Sequence, residues 1–123
     1  MSEGKVFRLG NIELRVDHRT LGGDGGPAVR VMAQVDQSTV PVLRFDCFRE
    51  EPHYHYDPAG KDVRHDLEKN EVPDPIAWTL ERLEHNLADM IRTAGYPDAA
   101  LGVDQGTVAD ALEEVEAIMR AGP

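Results

Sequence analysis

The apolar residues of this chain change period once. From Ile12 to Cys47 they fall on every second position within each run, and from Ile76 to Met119 they fall three or four apart. Side chains alternate across a strand but return to one face of a helix about every 3.6 residues, so a sheet should form first and helices after it. Lys5 to Leu9 reads as a first strand, and Gly10-Asn11 as a hairpin turn. Ile12, Leu14 and Val16 then alternate with Glu13, Arg15 and Asp17, the pattern of a half-buried strand. Leu21 to Pro27, with four glycines, reads as a mobile loop. A third strand carries Val29, Val31, Ala33 and Val35 inward, Asp36-Gln37-Ser38 turns the chain, and a fourth runs from Val40 to Phe48. Pro41 has no N–H to donate, which places it at that strand's start or on an outward edge.

Asp74 is a good N-cap, Pro75 suits the first helical position, and Gly95 ends the run near residue 94. One long helix with Leu80, Leu83, Leu87 and Ile91 on its apolar stripe is expected between them. Thr107 and Asp110 resemble a capping box that opens a shorter helix to about Ala121. The fold class predicted is α+β in a single domain over 1–123: an antiparallel meander of four to six strands within 1–66, and helices within 74–121 packed on one face.

Charge narrows the partners. Residues 1–58 carry seven Lys or Arg against nine Asp or Glu, a balance of −2, and residues 59–123 carry six against fourteen, a balance of −8. Affinity for nucleic acid comes largely from cations that displace condensed counterions, so a net charge of −10 argues against a nucleic-acid partner. No run of eighteen apolar residues could cross a bilayer, and Met1 to Lys5 has neither the basic nor the apolar stretch of a secretory signal. With a single cysteine, Cys47, and hence no internal disulfide, a cytoplasmic protein is expected. Cys47 reads as a small buried hydrophobe. The polar face left on the sheet, or an unprotected edge, suggests a protein partner or a homodimer.

Chemistry concentrates between sheet and helices, at Pro52-His53-Tyr54-His55-Tyr56-Asp57-Pro58. In an extended segment His53 and His55 share one face while Tyr54 and Tyr56 share the other. A turn at Asp57–Gly60 and a returning strand through Asp62–Asp66 would bring His65 or Asp66 back alongside. His53, His55 and His65 thus form a candidate ligand set for Zn²⁺, Mn²⁺ or Fe²⁺, with Asp46 or Glu50 to complete it or act as a base. His53, His55 and Asp46 are equally candidates for metal-free acid–base catalysis, and Tyr54, Tyr56 and Trp78 for the lining of a ligand pocket. A structural reading competes, since alternating His and Tyr are good strand residues. His18 reads as solvated, and His85 as pairing on the surface with Glu81 or Asp89.

The order of Leu43-Arg44-Phe45-Asp46, then His53-x-His55, then a helix resembles the TumE-type family of small bacterial toxins over about residues 40–85. That resemblance implies a nucleic-acid-directed toxin with an antitoxin partner and with His53, His55 and Asp46 at its active place. The long helical half and the net charge of −10 depart from the pattern. Three function classes stay open: an accessory or interaction protein bearing the His cluster, a small metal- or His-dependent hydrolase-like enzyme, and a toxin component.

Overall fold

A computed structural model describes residues 4–122. Three of the five residues read for a secretory signal, Met1 to Glu3, lie outside that range. Six strands follow one another in a single antiparallel meander: β1 (Lys5–Leu9), β2 (Ile12–Leu21), β3 (Asp24–Val35), β4 (Ser38–Asp46), β5 (His53–Tyr56) and β6 (Val63–Asp66). Four helices complete the α+β fold: α1 (Pro75–His85), α2 (Leu87–Thr93), α3 (Pro97–Leu101) and α4 (Gln105–Ala121). Register explains the core. Leu14 faces Val31, which faces Leu43, and Val16 faces Val29, which faces Phe45. These rows join Leu83, Leu87, Ile91, Val108 and Val115 of the helices in one buried cluster. Each such side chain contributes about 1.5–3 kcal/mol when withdrawn from water. Helix α4 touches β1, β2 and β3, and α2 touches β4 and β5.

The glycine segment is no mobile loop. Leu21 pairs with Asp24 across a tight Gly22-Gly23 turn, and Gly22 takes a φ of 61° that suits a residue without a side chain. Gly26 lies so close to the neighbouring strand that a Cβ there would overlap the Cys47 carbonyl. Pro41 falls inside β4 rather than at its start, next to a register shift at Val31/Met32. A bulge is one of the few places where a central strand tolerates a missing N–H.

The expected long helix is two helices. Asn86 leaves helical geometry with φ −128° and ψ 6°, closing α1 and opening α2, while the apolar spacing runs on through Leu83, Leu87 and Ile91. The opening is closed by Gln105 of α4, whose Nε2 donates to the carbonyls of Leu83 (3.0 Å) and Glu84 (2.8 Å). Its Oε1 accepts the N–H of Ala88 at 3.2 Å. The C-terminal helix starts three residues earlier than the expected cap implies and is the longest of the four described. Its cap is Asp104, which accepts from Gly106 and Thr107 N–H, and not Thr107.

Candidate metal centre

The β4–β5 pairing places the site. Asp46 lies opposite His53, and Arg44 opposite His55, so Asp46, His53, Arg44 and His55 all leave the sheet on the side away from the rows of Leu43, Phe45 and Tyr54. Asp46, His53 and His55 are buried residues, at 1%, 5% and 8% exposure. Each offers a ligand atom within 4.8 Å of the others.

Hydrogen bonding fixes what the rings present. His53 Nδ1 stands 2.7 Å from the Glu51 carbonyl oxygen, which only accepts, so Nδ1 carries a proton. His55 Nδ1 stands 2.7 Å from Asp62 Oδ1 and is committed in the same way. Both Nε2 atoms therefore turn inward, to 3.0 Å (His53) and 3.8 Å (His55) from Asp46 Oδ2. A carbonyl or carboxylate behind the outer ring nitrogen is the usual second layer of an imidazole that ligates metal through the inner one. Burial, and then the charge of Arg44, hold His55 below the ordinary imidazole range, so it keeps a lone pair at neutral pH.

Two arginines stand on the same atoms. Arg44 Nε donates to Asp46 Oδ2 (2.9 Å) while its Nη2 reaches His55 Nε2 (2.9 Å), and Arg19 Nη1 donates to Asp46 Oδ1 (3.0 Å). The buried carboxylate thus has the partners its burial demands. An Asp–His–His group of this kind could hold a metal ion, and the Arg44 guanidinium spans the ligand atoms such an ion would need.

The third member is Asp46, in place of the expected His65. His65 pairs with Tyr54 and stacks on its ring at 5.1 Å, on the opposite face from His53 and His55. Glu50 is exposed, near Lys69. Tyr54, Tyr56 and Trp78 do come together, with Tyr54 5.1 Å from Trp78 and 5.6 Å from Tyr56, half-buried against the core cluster. His18 is not free in solvent: its Nε2 lies 3.2 Å from the Met119 carbonyl, near the C-terminus of α4. His85 is exposed beside Glu84, in place of the expected Glu81 or Asp89. Burial pushes the Cys47 thiol up to about 12, so it stays protonated, 3.3 Å from the Thr79 hydroxyl. Period two already puts Arg44 on the Asp46 face, but only the pairing of β4 with β5 makes it a residue of the site. Arg19 and Asp62, 27 and seven residues from their partners, had no local signal.

Fold and site together define an α+β meander protein with a buried Asp–His–His group capable of holding a metal. The chain matches the family described as a domain of unknown function, DUF7700, over residues 6–119, and it belongs to that family. No curated protein and no solved structure matches it. Among the described residues no helix is long and apolar enough to cross a membrane.

Proposed function

We propose that this protein binds a divalent cation, Zn²⁺ foremost, through Asp46, His53 and His55, and serves as a metal-binding accessory protein. One observation carries the reading: both Nδ1 atoms are engaged by acceptors outside the group, so both Nε2 atoms converge on one buried carboxylate oxygen. The His53 Nε2–Asp46 contact of 3.0 Å is attractive only when a cation, a proton or a metal ion, stands between lone pair and carboxylate. Two imidazoles and a carboxylate suit Zn²⁺ best, with Fe²⁺ and Mn²⁺ behind it, and three residues leave one tetrahedral position for water.

The test is a competition titration of untagged protein against a chromophoric zinc chelator. One equivalent of Zn²⁺ is expected to bind. His53→Gln and His55→Gln should each abolish tight binding while the circular dichroism spectrum persists, and Asp62→Asn should weaken it by about 10–100-fold. Arg44→Gln should tighten it, because the guanidinium no longer competes for Asp46 and His55. Stoichiometric binding that survives both histidine substitutions would place the ion elsewhere and end this reading.

A further inference from the structure

Beside this centre, on the same sheet face, lies a hollow of about 370 Å³ whose lining includes Arg15, Arg30, Arg44, Met32, Pro41 and Pro58. Its three arginines are in file: Arg15 faces Arg30 across β2 and β3, and Arg30 faces Arg44 across β3 and β4. Neighbouring strands lie about 4.8 Å apart, so three guanidinium groups leave the sheet within about 10 Å. Like charges placed directly opposite one another are destabilising, and here they collect in a chain whose net charge is −10.

Each arginine has one carboxylate partner: Arg15 with Glu13, Arg30 with Asp17 and Arg44 with Asp46. Those bonds use only part of each fork. Arg15 and Arg44 donate to side chains through Nε and Nη2, and Arg30 through Nη1. Among the described residues the remaining terminal nitrogen of each has no side-chain partner, and a guanidinium carries five N–H donors. The volume lies within the usual range for small-molecule sites, which pair an apolar wall with a few convergent polar groups. Met32, Pro41 and Pro58 supply such a wall.

We propose that this hollow is a binding site for a small organic oxyanion, a carboxylate or phosphate head on an apolar body. The head takes the free edges of Arg15, Arg30 and Arg44, since planar forks match both oxyanions in bidentate fashion. The body lies against Met32, Pro41 and Pro58. The inference stands apart from the metal reading, and protein stripped of metal before the titration keeps the two separate.

Calorimetric titration of the full chain at low salt, after metal has been stripped with EDTA and the chelator removed by desalting into metal-free buffer, with benzoate, phenyl phosphate and inorganic phosphate as probes, tests it. Benzoate or phenyl phosphate should bind, the better of the two marking the preferred head, and each should exceed inorganic phosphate. Arg30→Gln should weaken that binding at least tenfold; Arg15→Gln serves the same purpose should the first variant fail to fold by circular dichroism. Arg92→Gln, at an exposed position of α2, should change nothing. The proposal is overturned if neither organic probe binds at millimolar concentration, if the folded Arg30 and Arg15 variants bind as the parent does, or if a single-stranded oligonucleotide binds where the small anions do not.

Discussion

Tyr96 and Asp57 show how one side-chain contact is tuned by its partner. The Tyr96 hydroxyl donates to Asp57 Oδ1 at 2.5 Å, tying the chain between α2 and α3 to the β5–β6 turn. The bond keeps the proton on the phenol, whose pKa is pushed up to about 12, and it holds the Asp57 carboxyl below its usual range, helped by the Lys61 N–H. Both shifts make stability depend on pH. Tyr96 contributes stability that is complete below its ordinary value of 10 and is lost as pH climbs toward about 12. Asp57 contributes stability that is present above its ordinary 3.8 and is lost as pH falls through its lowered value. Tyr96→Phe should therefore flatten the stability profile at both extremes and remove the latest phenolate step from the alkaline ultraviolet titration. A late step that persists in the variant would assign it to Tyr56, whose phenol burial also raises.

Helix α1 stops at His85 and α2 starts at Leu87 because Asn86 leaves helical geometry, and the backbone groups so released are met by a side chain from another helix. Gln105 satisfies two carbonyls and one N–H with a single amide. Gln105→Ala should cost about 1–3 kcal/mol in urea unfolding, since the half-buried Leu83 carbonyl and Ala88 N–H, left unpaired, pay a desolvation cost. Gln34→Ala, which removes only an exposed bond to Thr39, should cost less than about 0.5 kcal/mol. Equal losses would show that water replaces the amide at the break. From sequence the helical pattern runs through Asn86 without interruption, because the apolar spacing does not register a break of one residue. The signal that ends α1 lies nineteen positions downstream, in Gln105.

Metal and sheet meet at the scale of the whole molecule, for the proposed ligands come from β4 and β5 and meet only in the folded chain. An ion bound to the native state alone raises stability by about 2.7 kcal/mol at one hundred times its dissociation constant. Zinc should accordingly raise the thermal unfolding midpoint of the parent and leave that of His53→Gln unchanged; a midpoint indifferent to zinc in both would speak against a native-state site. By itself the sequence determined that strands come first and helices after them, the Asp36-Gln37 and Asp57–Gly60 turns, and the shared face of His53 and His55, because period, turn chemistry and strand alternation act between near neighbours. Only the tertiary structure decided that Asp46 rather than His65 completes the group, that Arg44 lies across it, and that Arg15, Arg30 and Arg44 stand in file. Those outcomes depend on which residues face each other across strands, and register is set by the packing of the whole core.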